Sequence, residues 1–151
     1  MSTTMTLPGI ENLTFTINQE IRVSAPLDVT FEALLEQLQS NENAEGVSMP
    51  MKLEPWPGGR WFRDLGNDNG HLWAHVQSIK RPTLLEFCGP LFMSYGASNN
   101  VQYRLTESGG VTLITFRHSA FGLIQDDHRK NVSGGWSHMN EMVRKRAEGS
   151  R

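Results

Sequence analysis

The sequence predicts one α+β domain in which a curved antiparallel sheet of seven strands wraps around a long helix near the C-terminus. The chain has 151 residues, enough for one domain with a substantial core. Three observations support this prediction: an amphipathic stretch at residues 125–147, an alternating stretch near the N-terminus, and six short alternating runs between them. We place the domain at residues 13–148 and a flexible lead-in at residues 1–12, which are polar and contain Pro8-Gly9.

The stretch at residues 125–147 has the pattern of a long amphipathic helix. Its apolar side chains recur at helical spacing and so share one stripe: Val132, Trp136, Met139, Met142 and Val143. Acidic residues stand at its start and basic residues at its end, the order that the helix dipole favours. A helix of this length with a Trp in its apolar stripe needs a broad partner surface, and we expect the sheet to supply it.

The N-terminal part of the chain predicts one strand followed by one helix. Residues 13–25 alternate between apolar and polar side chains, which is typical of a half-buried strand. After Pro26, apolar residues recur at helical spacing as far as Leu38. The next segment, QSNENAEGVS at residues 39–48, is polar and weakly patterned, and it fits either one short helix or a loop.

From Met49 onward, turns rich in Gly, Asn and Asp divide the chain into six short runs. These runs are MKLEPW, RWFRDL, HLWAHVQSI, TLLEFCGPLF, NVQYRLTE and VTLITFRHS. Short alternating runs joined by such turns are typical of antiparallel hairpins. Because a twisted sheet of seven strands curves strongly, one helix fills only part of its concave side. The remaining space is either filled by large side chains or forms a cavity for an apolar ligand.

Composition narrows the classes of function. The formal net charge of −2 gives no reason to expect nucleic acid or an anionic membrane as a partner. No run approaches the roughly 18 apolar residues that a membrane-spanning helix needs, and the N-terminus lacks the features of a signal peptide. The single cysteine, Cys88, cannot form an internal disulfide and is predicted to be a small buried side chain. We therefore expect a soluble, cytoplasmic protein.

Five segments, in this order, resemble a known superfamily. They are VSAP at 23–26, GGRW at 58–61, RPTLLEF at 81–87, GVTLITFRH at 110–118 and GW at 135–136. Together they resemble the SRPBCC superfamily, the helix-grip fold related to START and birch-pollen-allergen domains. In particular, they are similar to its branch containing the C-terminal domain of the activator of the heat-shock-protein-90 ATPase. The resemblance covers about residues 15–148 and implies the helix-grip fold. Its members bind hydrophobic small molecules, cyclise polyketides or assist chaperones.

The candidate site residues are side chains that the predicted strands and the last helix direct toward each other. The candidates for lining a cavity are Leu53, Trp61, Phe87, Tyr103, Phe116, His118, Gly135, Trp136 and Met139. Each of them is also compatible with an ordinary core position. Tyr103 and His118 would supply the few polar contacts that orient a ligand, and His118 would be the acid or base of any catalysis.

The histidines do not predict a metal site. His71 and His75 are four residues apart on a predicted strand, which separates their α-carbons by about 13 Å. His128 and His138 are ten apart on the last helix and point in different directions. We therefore predict neither a metal nor a cofactor.

Two local patterns lead to further expectations. Gly134-Gly135 lies inside the last helix, where each glycine costs about 1 kcal/mol relative to Ala, so Gly135 either allows close packing or leaves room for a ligand. Alternation along HLWAHVQSI directs Leu72, Ala74 and Val76 inward and places Trp73 on the convex face. An exposed Trp73 would indicate a possible homodimer surface.

The preferred function is the binding of a small hydrophobic ligand between the sheet and the last helix, without covalent chemistry. Two alternatives stay open at this point. The first is a chaperone-assisting interaction protein that acts through its surface. The second is a polyketide-cyclase-like enzyme that uses His118 and Tyr103.

Overall fold

The computed structural model of the chain describes residues 9–42 and 45–149. Within these residues there are two helices, α1 (Leu27–Gln39) and α2 (Asp126–Ala147). The strands are β1 (Thr14–Val23), β2 (Ser40–Glu42), β3 (Ser48–Pro50), β4 (Lys52–Leu53), β5 (Arg60–Gly66), β6 (Asn69–Lys80), β7 (Leu84–Gly89), β8 (Ala97–Ser108) and β9 (Val111–Gly122).

Seven of these strands form one antiparallel sheet in the order β1-β9-β8-β7-β6-β5-β4. From β4 to β9 each strand pairs with the next one in the chain, so the predicted series of hairpins is confirmed. The first strand, β1, completes the sheet by pairing along its whole length with β9. Both α1 and β1 pack against α2. The predicted α+β helix-grip architecture is therefore confirmed.

The beginning of β1 is attached to the N-terminal part of α2. The guanidinium of Arg129 donates to the backbone carbonyls of Thr14 and Asn12, each at 2.8 Å, and lies 5.8 Å from the ring centroid of Phe15. Residues Ile10–Asn12, at the end of the predicted lead-in, form a short 3-10 turn. Residues 1–8 of that lead-in lie outside the described residues.

The segment after α1 differs from the prediction. β2 and β3 pair as a separate two-stranded sheet that the sequence did not predict, and residues 45–47 between them are a loop rather than a helix. The alternation that reveals a strand requires one face to be buried. Here most of the side chains are polar, and Val47, just before β3, is 58% exposed, so the sequence carries no such signal. Residues 43–44, which lie between the two strands, are outside the described part of the chain.

A β-bulge in β6 reverses the alternation that the sequence predicts for this strand. Trp61 pairs with Ala74 while Phe62 pairs with Leu72, which leaves Trp73 as the extra residue between two pairs. Ala74 and Val76 are buried as predicted. At the bulge, however, Trp73 turns inward and contacts Trp61, with 5.2 Å between ring centroids. Leu72, on its other side, is 40% exposed. The expected directions of Trp73 and Leu72 are therefore wrong, and Trp73 gives no support to a homodimer surface.

Cys88 is exposed on β7, so the prediction of a buried cysteine is also wrong. The reason lies in the alternation of the strand. Leu85 and Phe87 are fully buried, which turns the next side chain, Cys88, to the opposite face.

The bulge leads to a stability prediction for two neighbouring positions. We expect Trp73→Ala to lower the free energy of unfolding by about 3 kcal/mol, because it removes a large side chain from an aromatic cluster. We expect Leu72→Ala to change it by no more than about 0.5 kcal/mol, because that side chain is largely in solvent. Chemical denaturation of both variants measures the difference. A larger loss of stability in Leu72→Ala than in Trp73→Ala would contradict the bulge.

Candidate functional site

His118 lies in the core, at the centre of a buried chain of hydrogen bonds. The indole Nε1–H of Trp136 donates to its Nδ1 at 2.8 Å, and its Nε2 lies 2.7 Å from the side-chain oxygen of Asn99. Because an indole nitrogen can only donate, the proton of neutral His118 must be on Nε2, which donates to Asn99. His118 is fully buried, and desolvation lowers its pKa to about 4. The ring is therefore neutral near pH 7.

Asn99 continues this chain to the loop between β7 and β8. Its amide nitrogen donates to the carbonyls of Gly89 and Pro90 at 3.1 and 3.2 Å. These residues lead into the connection formed by residues 90–96. The start of this connection is thus joined to α2 through three side chains.

Tyr103 belongs to a second network, which runs from the core to the surface. Its hydroxyl donates to the side-chain oxygen of Asn140 at 2.8 Å, and the amide of Asn140 donates to Gln19 at 2.9 Å. Gln19 in turn donates to the hydroxyl of Ser137 at 3.0 Å. Burial raises the pKa of Tyr103 well above its ordinary value. The network joins β8, α2 and β1, and it uses the hydroxyl proton of Tyr103 within the protein.

A pocket of about 230 Å³ lies between the N-terminal half of α2, strands β5 and β6, and the 90–96 connection. Its wall consists of Trp61, Trp73, Phe92, His128, Asn131, Val132, Gly135, Trp136 and Met139. The members on α2 follow one another at intervals of three and one residues and so share one face of the helix. Most of the wall is aromatic or aliphatic.

Four of the nine candidate site residues line this pocket: Trp61, Gly135, Trp136 and Met139. The other five do not border it, and they lie buried in the core: Leu53, Phe87, Tyr103, Phe116 and His118. Phe87 stacks behind Trp61 with 5.0 Å between ring centroids, and Phe116 contacts Trp136 at 4.8 Å. The two polar candidates, Tyr103 and His118, are thus behind the wall.

Five wall residues were missing from the candidates: Trp73, Phe92, His128, Asn131 and Val132. Helical spacing from Trp136 would have found the three on α2, because residues 128, 131 and 132 lie on the face that also carries 135 and 139. The bulge conceals Trp73 from an alternation argument. Phe92 follows β7 in a connection where periodicity gives no direction.

The 90–96 connection closes one side of the pocket through aromatic contacts with His128. Phe92 meets the His128 ring edge-on at 4.9 Å, and Tyr95 stacks on it at 5.6 Å between centroids. The Tyr95 hydroxyl lies 2.7 Å from His128 Nδ1 and accepts the backbone N–H of Gln125 at 3.2 Å. Leu91 has a left-handed φ of 54°, which is unfavourable for a leucine. Its burial and a 2.7 Å hydrogen bond from its N–H to the Trp73 carbonyl offset that cost.

Gly135 lies on the pocket wall, and close packing does not require it to be a glycine. A Cβ built at this position meets no atom within 4 Å, and the same is true of Gly134. Of the two explanations drawn from the sequence, close packing is therefore wrong. The missing side chain at Gly135 leaves space in the pocket.

The described residues contain no group of three or more His, Cys, Asp or Glu side chains that could hold a metal ion. In the same part of the chain, no helix is both long and apolar enough to cross a bilayer. The Nε1–H of Trp73 is buried and has no hydrogen-bond partner among the described residues.

The buried His118 predicts a loss of stability in mild acid. Below a pH of about 6.5 the unfolded chain binds a proton at this residue, whereas the folded protein does so only near pH 4. Its contribution to stability therefore falls as the pH decreases through this window, by about 3 kcal/mol in total. Denaturant unfolding at a series of pH values measures this slope.

The matched variant is His118→Gln. The glutamine oxygen accepts from Trp136 and its amide nitrogen donates to Asn99, but the side chain does not titrate. We expect this variant to lose most of the acid dependence, whereas His138→Gln on the exposed face of α2 keeps it. An unchanged pH profile in His118→Gln would contradict the assignment.

Comparison with known proteins places this architecture in a family. Residues 24–147 match the model of the family described as activator of Hsp90 ATPase homolog 1-like protein. No curated protein matches the sequence.

Several solved structures share the fold at low sequence identity. CalU16 from Micromonospora echinospora is 17% identical with a TM-score of 0.65, over 90% of this chain and 76% of that chain. Ara h 8.0201 is 12% identical with a TM-score of 0.68, over 89% and 97%. The di-domain ARO/CYC StfQ from the steffimycin biosynthetic pathway is 11% identical with a TM-score of 0.65, over 92% and 52%. The chain belongs to the activator of Hsp90 ATPase homolog 1-like family, within the SRPBCC helix-grip superfamily.

Proposed function

We propose that this protein binds a small hydrophobic ligand in the pocket beside α2, without covalent chemistry. The observation that carries the proposal is the composition of the wall. It contains three Trp, one Phe, one Met and one Val, and its remaining polar side chains are those of His128 and Asn131. Ligand sites are typically concave and largely apolar, with a few polar groups that orient the ligand. The space left open at Gly135 also supports the proposal.

The volume of the pocket limits the size of the ligand. An apolar cavity of about 150 Å³ takes up benzene. By the same ratio, a pocket of about 230 Å³ holds about nine non-hydrogen atoms. A ligand of this size has a single ring or two small fused rings.

Catalysis by His118 and Tyr103 is not part of the proposal. Neither residue borders the pocket, and both use their polar hydrogens in hydrogen bonds within the protein. A cyclase-like mechanism would need an acid or base in contact with the substrate.

A chaperone-assisting role is the second candidate, in line with the description of the matched family. The observation that favours it is Trp56, which is 56% exposed in a well-braced loop. Arg60 makes a bidentate ion pair with Glu54, and Gly59 N–H donates to the Trp56 carbonyl at 2.8 Å. A rigidly presented Trp is a common anchor of protein interfaces.

The first test of the preferred function is native mass spectrometry of the freshly purified protein, followed by organic extraction. We expect a discrete added mass that disappears on denaturation. Titration with indane, a small two-ring hydrocarbon, provides a direct test by calorimetry. If no mass is added and indane does not bind, the proposed function is wrong.

A variant at Gly135 tests whether indane binds in this pocket. We expect Gly135→Leu to weaken indane binding about tenfold or more, because the new side chain occupies space that the ligand needs. Calorimetric titration measures the change. Stability should not fall, since Leu favours a helix by somewhat less than 1 kcal/mol over Gly.

Gly134→Leu is the matched control for this variant. It makes the same change one residue away, where a Cβ also meets no atom, but it lies off the pocket wall. We expect its indane affinity to equal that of the wild type. Equal losses in both variants would place the binding site elsewhere.

The chaperone candidate has its own test in Trp56→Ala. We expect this change to weaken capture by heat-shock protein 90 about tenfold while the affinity for indane stays constant. Leu65→Ala, at another exposed apolar position, is the control. Undiminished capture by Trp56→Ala would exclude Trp56 as the anchor.

A further inference from the structure

We infer that His128 selects, among small apolar ligands, those that carry an acceptor oxygen, and that aromatic carbonyl compounds fit best. The inference rests on the proposed function of the pocket. It adds the polar group of the ligand and the position at which this group binds.

Hydrogen-bond accounting favours one ring nitrogen of His128 as the carrier of the proton. The Tyr95 hydroxyl accepts the backbone N–H of Gln125, so its own proton needs an acceptor. Among the described residues, His128 Nδ1 at 2.7 Å is the acceptor within reach. We therefore assign Tyr95 as the donor to Nδ1, which places the proton of the neutral ring on Nε2.

The Nε2–H of His128 is a donor without a protein acceptor. No described residue forms a hydrogen bond with this atom, although the ring borders the pocket. The ring is held in place by Tyr95, which stacks on it, and by Phe92, which meets it edge-on. A donor fixed in this way loses little conformational entropy when a ligand oxygen binds to it.

Asn131 lies one turn further along α2, on the same wall. Asn131 is exposed and its amide makes no hydrogen bond to the described residues, so a solvent-accessible amide stands next to the fixed donor of His128. A carbonyl oxygen has two lone pairs and can accept from both. The pocket thus has one polar end, formed by His128 and Asn131.

The other side-chain polar atoms of the wall are either hydrogen-bonded within the protein or enclosed by it. Trp61 Nε1–H donates to the Leu38 carbonyl at 2.9 Å, and Trp136 Nε1–H donates to His118. The Nε1 of Trp73 is enclosed by protein. Among the described wall residues, this leaves His128 and Asn131 to recognise the polar part of a ligand.

The test compares indane with 1-indanone, which adds one carbonyl to the same ring system. Calorimetric titration is carried out on the wild type, His128→Phe and His138→Phe. Phe keeps an aromatic ring at position 128 but removes the donor. We expect the wild type to bind 1-indanone at least as tightly as indane.

In His128→Phe we expect the affinity for indane to persist and that for 1-indanone to fall about tenfold, because the carbonyl loses the donor at position 128 and keeps only the exposed amide of Asn131. His138 is exposed on α2 and away from the pocket, so His138→Phe should bind both probes as the wild type does. If His128→Phe binds neither indane nor 1-indanone, nitrogen NMR of the histidine rings in the wild type tests the selection by His128. The His128 Nε2 resonance should shift with 1-indanone and not with indane.

The outcomes separate this inference from the proposed function. If neither probe binds to the wild type, both are overturned. If indane binds but the carbonyl gives no advantage that depends on His128, the selection by His128 is overturned while the proposed function stands. An equal shift of the His128 Nε2 resonance with both probes also overturns the inference.

Discussion

The hydrogen bond from Trp136 to His118 is the interaction on which the arrangement of the pocket depends. An indole N–H can only donate, so this single contact determines which nitrogen of the neutral His118 ring carries the proton. The proton is on Nε2, which therefore donates. This donation orients the amide of Asn99, whose nitrogen then holds two backbone carbonyls at the end of β7. The residues that follow carry Phe92 and Tyr95 to the face of α2. One core contact thus positions both the wall that α2 provides and the loop opposite it.

Polar groups that looked suitable for a ligand instead hold the core together. His118 and Tyr103 are both fully buried, and each is bonded to partners on other elements. Leaving such groups unpaired would cost about 1–3 kcal/mol each, so their partners are structural requirements. The groups left for recognition lie on α2, where the Tyr95–His128 contact and the free amide of Asn131 form the polar end of an otherwise apolar pocket.

The aromatic lining and the open space of the pocket have one local cause each. The bulge at Trp73 adds an aromatic ring to the concave side of the sheet. Opposite it, Gly135 removes a side chain from the face of α2. Together they produce an aromatic-walled gap that neither a regular strand nor a continuous amphipathic helix would leave.

Apart from the β2–β3 pair, the sequence by itself determined the series of elements and the faces that most of them bury. Periodicity and turn chemistry are local properties, so the long helix, the hairpins and the inward positions of Trp61, Tyr103 and Phe116 were predictable from residues close together in the chain. The Gly134-Gly135 pair was recognisable as unusual for the same reason.

The tertiary structure alone decided where the pocket lies and which polar groups face it. A bulge depends on pairing with a neighbouring strand, so alternation along HLWAHVQSI misplaced Trp73 and Leu72. His118 has two partners, Asn99 and Trp136, which come from separate elements. No local sequence pattern predicts these contacts. His128 likewise acquires its role only when residues 90–96 fold against α2, because its proton position depends on Tyr95. Hydrogen bonds between side chains distant in sequence are invisible to periodicity, and they are what distinguishes the pocket from the core in this protein.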